Sequence, residues 1–202
     1  MKTISEELFE AFLCENNLGF QRIKADSSPR PDYLVQANGV EVMFEVKELA
    51  EDTNFVDVRD TSSSLIRIHS RTLGDHVRKK INGARKQVRY AANQDVPAIL
   101  LIYNNIDPLH LFGTEDADFI TAMYGEYTVL LDRDTRKVVD SFNGQNQSLR
   151  EDWNTEFSAL GRLTPCLGKM IITLFENVFS SVKITTEMLP ACFEFIKVEM
   201  SR

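Results

Sequence analysis

The sequence predicts an α/β fold, and three observations carry that prediction. An amphipathic helical stripe opens the chain, an Asn38-Gly39 pair joins two β-rich runs, and a basic helical stretch leads into the apolar run VPAILLIYN. Helix, strand meander, helix and strand in that order make an α/β sandwich, in which helices cover a sheet. A length of 202 residues fits one domain. The informative part is residues 1 to about 105, and residues from about 106 to 202 read as a C-terminal elaboration.

The first helix is expected over residues 4–17, with Ser5 as its N-cap and Ile4, Leu8, Phe9, Phe12 and Leu13 on one side. Gly19 marks its stop. Residues 20–24 suit a short strand, and Ser27-Ser28-Pro29-Arg30-Pro31 a loop, because two prolines bar both helix and central strand. DYLVQ and VEVMFEVK flank Ala37-Asn38-Gly39. Asn-Gly supplies both positive-φ positions of a tight hairpin turn, so these runs predict a β-hairpin. A polar stretch over residues 48–64 reads as a loop or insertion, and residues 65–68 as a further strand.

Residues 73–93 read as a basic helix and residues 96–104 as a buried strand with Pro97 at its start. A short helix over 115–123 precedes two strands, 127–132 and 137–142, joined by an Asp-Arg-Asp-Thr turn. Residues 143–154 form a loop and residues 170–176 a strand. In LPACFEFIKVEM periodicity favours neither helix nor strand.

Composition narrows the function classes. No apolar run reaches the roughly 18–20 residues of a membrane helix, and the acidic, amphipathic start is unlike a secretory signal. Cys14, Cys166 and Cys192 are odd in number and form no CxxC pair, which suggests reduced, packed thiols in a cytoplasmic protein. The net charge is −7. Its distribution is uneven: Arg67, Arg71, Arg78, Lys79, Lys80, Arg85, Lys86 and Arg89 face a single Asp75, so this stretch carries +7 and the rest −14. A basic strip on an acidic body can hold a phosphate backbone locally. The same run would also serve as a solvated helix face.

The hairpin gathers the chemistry. With Asn38-Gly39 as a two-residue turn, Ala37 pairs with Val40 and Asp32 lies opposite Glu45. Directly opposed residues project to one face with Cβ atoms about 4.5–5.5 Å apart. Lys47, two residues on, shares that polar face, and Val42, Phe44 and Val46 point to the other, where they would be buried. Two carboxylates that close repel unless a positive charge sits between them. Mg²⁺ (or Mn²⁺) suits such a pair, with water and substrate phosphate completing its shell. It would polarise a phosphodiester and acidify a water that Lys47 orients. An exposed hairpin with a weak Asp-Glu-Lys salt bridge accounts for the same spacing.

Pro31-Asp32, twelve intervening residues and Glu45-Val46-Lys47 resemble the PD-(D/E)xK signature of the restriction-endonuclease-like nuclease superfamily. The resemblance covers residues 1 to about 105. It implies a central mixed β-sheet flanked by helices, with the signature on a hairpin after an N-terminal helix. It also implies Asp32 and Glu45 as metal ligands, Lys47 at the attacking water and a supporting Glu on the first helix. Glu6 is the first candidate there, ahead of Glu7 and Glu10. A Gln on the following helix, often with a Tyr after it, is matched by Gln87 and Tyr90.

The implied activity is Mg²⁺-dependent hydrolysis of phosphodiester bonds in nucleic acid, with DNA the expected substrate. Arg78, Lys79, Arg85, Lys86 and Arg89 would be the phosphate contacts. Cleavage of a duplex by one site per chain favours a homodimer. Two rivals belong to other classes: a catalytically inactive nuclease-like fold that binds nucleic acid or protein, and an immunity-type interaction protein with an acidic binding surface. His69, His76 and His110 lack metal-ligand spacing; His69 and His76 could touch phosphate from the basic strip but read first as exposed polar residues. Trp153 and the thirteen Phe read as core.

Overall fold

A computed structural model describes residues 2–24, 28–50, 55–56, 68–69, 72–107 and 109–198. In chain order the elements are α1 (Ile4–Glu15), β1 (Phe20–Arg22), β2 (Tyr33–Ala37), β3 (Val40–Leu49), β4 (Phe55–Val56), β5 (Ile68–His69), α2 (Asp75–Ala92) and β6 (Ala98–Asn104). They continue with α3 (Asp116–Tyr124), β7 (Tyr127–Leu131), β8 (Val138–Asn143), β9 (Ala159–Cys166), β10 (Lys169–Glu176) and β11 (Phe193–Ile196). The fold is α/β: a mixed seven-stranded sheet in the order β1-β2-β3-β6-β9-β10-β11, flanked by helices.

α1 starts at Ile4, the first residue of its apolar stripe. Its cap is Thr3, not Ser5. Thr3 has Glu6 three residues ahead, so a reciprocal capping box forms, with Glu6 N–H donating to Thr3 Oγ1 and Thr3 N–H to Glu6 Oε2. Ser5 has Leu8 at that offset and cannot close the box. The helix ends at Glu15, where Asn17 turns left-handed (φ 55°) and the Leu18 N–H returns to Leu13 O.

β1, β2 and β3 form an antiparallel meander. Asn38 and Gly39 adopt φ of 45° and 83°, and the pairing runs from Ala37↔Val40 to Tyr33↔Phe44, the register expected from the turn. α2 then carries the chain back so that β6 pairs parallel to β3, as a crossover helix requires. β6 is buried at all seven positions. Such a continuous apolar strand belongs in the middle of a sheet covered on both faces. On one face Phe9, Phe12 and Leu13 of α1 pack on Val42, Phe44 and Val46. On the other, Val77, Ile81, Ala84 and Val88 of α2 pack on Met43, Leu100 and Ile102.

The C-terminal half is more than an elaboration. β9, β10 and β11 supply three of the seven strands of the central sheet. β9 has no clear signature in the sequence, since Gly161, Arg162, Thr164 and Pro165 interrupt it. Gly161 has a packing reason: a Cβ there would come within 2.5 Å of Leu174 Cδ2. β11 pairs parallel with β10, which decides the ambiguous C-terminal segment in favour of a strand. β7 and β8 form the expected hairpin, but as a separate two-stranded sheet.

Several smaller expectations change. The cysteines are free, yet Cys14 and Cys166 are exposed instead of packed. Trp153 lies at the surface, and His76 is buried. His110 stacks on Tyr103, and the His69 side chain lies outside the described residues. The expected polar loop over residues 48–64 and strand over 65–68 fall mostly outside them too. Among the described residues no helix is long and apolar enough to cross a membrane.

Candidate active site

The hairpin register brings Asp32, Glu45 and Lys47 together as the spacing requires. Asp32 N–H donates to Phe44 O at 3.0 Å, and Asp32 Oδ2 accepts from Val46 N–H at 2.8 Å. Asp32 is thus clamped by backbone on both sides of Glu45. Lys47 Nζ reaches Glu45 Oε1 at 2.5 Å. The neighbouring Glu48 points to the opposite face, where Ser5 N–H and Asn105 Nδ2 donate to its carboxylate.

One expectation about this face is overturned. The side chains were expected on a polar face, but Glu45 is only 2% exposed. The cause is the crossover: Glu45 shares its face with Met43 and Leu49, and that is the face α2 covers. Burial, reinforced by the charge of Asp32, pushes the Glu45 carboxyl up to about 7, with Lys47 only partly offsetting the shift. Burial also raises Asp32, against the Val46 N–H and the Lys47 charge. Among the described residues no N–H or O–H donor reaches the buried Glu45 Oε2, and the Glu45 and Asp32 carboxyls stand within hydrogen-bonding reach of each other. An unpaired buried carboxylate oxygen carries a desolvation cost that a proton or a cation would relieve.

The residue set fits a Mg²⁺-like ion better than a closed metal cage. Among the described residues no three His, Cys, Asp or Glu side chains cluster tightly enough to enclose a cation alone. Two adjacent carboxylates, one with an orphaned oxygen, are what an ion needs that keeps several waters and binds substrate phosphate.

Glu6 is close enough for its charge to raise Asp32. Its oxygens are already engaged: Oε1 accepts from Arg22 at 2.8 Å and Oε2 from the Thr3 N–H of the capping box. Glu6 therefore acts on Asp32 through space, with Arg22 as its counterion. Glu10 accepts from Tyr33 and Lys2 instead, and Glu7 is exposed.

α2 distributes its side chains around three flanks. Lys80 donates to Glu48 O at 2.7 Å, and its ammonium is held below the usual lysine range by burial and then by the Lys47 charge. Gln87, seven residues on, lies on the same flank. α2 runs antiparallel to β3, and seven helical residues rise about 10 Å, as do three strand residues. With Lys80 beside Glu48, Gln87 is therefore level with Glu45. Gln87 Oε1 is also buried and has no hydrogen-bond partner among the described residues.

Three of the five expected phosphate contacts turn toward protein. Arg78 donates to Leu73 O, Thr121 O and Asn146 O, Arg85 stacks 3.7 Å over the Trp153 ring, and Arg89 pairs with Glu156 at 2.8 Å. Lys79 and Lys86 remain exposed on the outer flank. Two site residues escaped the sequence analysis. Arg22 gives no local signal, because its partner lies across the fold. Lys80 could have been found, since its seven-residue offset from Gln87 puts both on one helix flank. No protein-family profile, curated protein or solved structure matches this chain.

Proposed function

We propose that this chain is a Mg²⁺- or Mn²⁺-dependent nuclease of restriction-endonuclease-like architecture that hydrolyses phosphodiester bonds in nucleic acid, with DNA the expected substrate. The observation that carries the reading is the convergence on one hairpin face of Asp32, Glu45 and Lys47, with Glu45 buried, raised to about 7 and given no donor to its Oε2 among the described residues. The strand order β1-β2-β3-β6, antiparallel through the meander and parallel across the α2 crossover, suits the helix-flanked mixed sheet, with its hairpin after an N-terminal helix, that the signature implies.

Asp32 and Glu45 would hold the ion, which supplies positive charge to the scissile phosphate and acidifies a bound water. The remaining work falls to the chain. The Val46 N–H fixes the Asp32 carboxylate in place. Glu45, raised to about 7 by burial, would give up its proton to hold the ion. Lys47, anchored on Glu45, orients the attacking water and faces the charge that grows on the phosphate. Lys80 adds a second ammonium beside it, held by the Glu48 carbonyl.

The test is cleavage of labelled single-stranded and duplex DNA and of RNA with and without Mg²⁺, alongside Mn²⁺ uptake by calorimetry. Asp32→Ala, Glu45→Ala and Lys47→Ala should each cut the Mg²⁺-dependent rate by about 10³-fold, the loss of several kcal/mol of transition-state stabilisation. The two carboxylate variants should also lose Mn²⁺ uptake. Wild-type rates in any one of them would remove that residue from the mechanism. A wild-type protein that neither takes up Mn²⁺ nor cuts any of these substrates would leave only a binding module.

A further inference from the structure

We infer that the cut strand's phosphodiester backbone runs along a basic track from the outer flank of α2 across Tyr90 and Arg30 into a groove at the free edge of β1, lined by Arg22 and Lys24. This inference rests on the nuclease reading of the hairpin and adds where the substrate lies.

β1 is the outermost strand of the seven-stranded sheet. Beside it is a groove of about 360 Å³ lined by Gln21, Arg22, Ile23, Lys24, Arg30 and Leu34. Among the described residues that line it, three of the six are cationic and none is acidic, on a chain whose charge outside residues 67–90 is −14. An anion is the ligand such a lining selects.

The groove is joined to the site by backbone and by charge. Ile23 N–H donates to Asp32 O at 2.8 Å, so the groove wall and the Asp32 backbone are one ladder. Arg22 pairs with Glu6, whose charge acts on Asp32. Arg30 stands two residues before Asp32 and stacks 5.1 Å over the Tyr90 ring.

Tyr90 connects the groove to α2. Lys79, Gly83, Lys86 and Tyr90 recur at offsets of four, three and four residues, which align on one helix flank. Val77, Ile81, Ala84 and Val88 lie on the opposite, buried side. Lys79 and Lys86 are exposed, and a Cβ at Gly83 would meet nothing within 4 Å among the described residues, which leave the stripe between the lysines bare. Arg78, Arg85 and Arg89 fall on another flank and are held by protein partners. The track therefore uses only part of the basic helix and adds cations from β1 and the loop before Asp32.

Lys24→Glu with Lys86→Glu places one reversal in each arm of the track and touches neither the carboxylates nor the core. Binding is read by fluorescence anisotropy with a labelled 20-nucleotide single strand and the matching duplex, in Ca²⁺ from 50 to 200 mM salt. The double variant should bind each probe at least tenfold more weakly. Its log K against log salt slope should be shallower by about 1.4 for the single strand and about 1.8 for the duplex. Mn²⁺ uptake should equal that of the wild type. A control pair, Arg133→Glu with Lys137→Glu at the β7–β8 tip, should change neither affinity nor slope.

Wild-type affinity and slope in the Lys24/Lys86 variant, with cleavage intact in the wild type, would overturn the track and leave the nuclease reading standing. Equal losses in the control pair would overturn it too, as bulk electrostatics. Displacement of the probe by poly-glutamate at equal charge concentration would replace it with an acidic-protein surface. A wild-type protein that binds Mn²⁺ at the hairpin but no nucleic acid would overturn both readings.

Discussion

The molecule contains two β-hairpins with similar local signals and opposite fates. β2–β3 turns at Asn38-Gly39 and is covered on both faces; β7–β8 turns through Asp132-Arg133-Asp134-Thr135 and is exposed along most of its length. Each bears a carboxylate with a displaced pKa, and the displacements have opposite signs. Burial drives Glu45 up to about 7. Asp132, at the surface, is held below its ordinary value by hydrogen bonds from the Thr135 backbone and hydroxyl, which favour the charged form. A turn motif sets strand register, and the helix laid over the strands decides whether the side chains become reactive or merely solvated.

The largest difference should appear in stability. Phe44 is fully buried, with ring centroids 5.1 Å from Phe9 and 5.9 Å from Phe193, so it ties β3 to both α1 and β11. Phe44→Ala should cost about 3–5 kcal/mol in urea unfolding, from lost burial and the cavity left behind. Leu131, 55% exposed on β7, should cost under about 0.5 kcal/mol when changed to Ala. A comparable loss at Leu131 would mean that β7–β8 is buried against a partner in solution, and the contrast between the hairpins would then collapse.

The two carboxylates should also give opposite pH dependences. Glu45 has an ordinary value of 4.5 and a folded value of about 7, so between these limits the folded state holds a proton the unfolded state has released. The metal-free protein should lose stability as pH rises through that window, by on the order of 3 kcal/mol for the full shift. Unfolding in EDTA at pH 5 and pH 8 measures it. Glu45→Gln should remove most of the decline, and Mn²⁺ should restore stability at pH 8 far more than at pH 5. Asp132 runs the other way: its contribution is present at neutral pH and fades as pH falls through its depressed value. A metal-free stability that rises between pH 5 and 8 would contradict the buried state of Glu45.

Much of this was legible in the sequence, and the reasons are local. Asn-Gly demands positive φ at both turn positions, and that fixes the pairing that sets Asp32 against Glu45. Strict alternation then puts Lys47 on the same face. The cap at Thr3 was equally readable, because Thr3-x-x-Glu6 closes a box that Ser5 cannot. What resisted reading depends on distant residues. β9 pairs with β6 from some 60 residues away and carries Gly161, whose value lies only in its closeness to Leu174. The burial of Glu45 follows from where α2 crosses. The division of the basic helix into protein-facing arginines and outward lysines follows from which flank meets Trp153 and Glu156.

The smallest prediction concerns two glycines, one in the site hairpin and one on the helix that covers it. Gly39 sits at φ +83°, which an L side chain adopts only under strain, although nothing lies within 4 Å of its would-be Cβ. Gly39→Ala should therefore destabilise the fold by about 1 kcal/mol through backbone strain alone. Gly83 has equal room but lies in the middle of α2 with ordinary helical geometry. There alanine lowers the entropy of the unfolded chain and strains nothing, so Gly83→Ala should stabilise by about 0.5–1 kcal/mol. Urea midpoints of the two variants against wild type, with unchanged slopes, read both signs at once. Loss of stability at Gly83 would mean that the outer flank of α2 is packed against something in solution, and a substrate track along it would have no room.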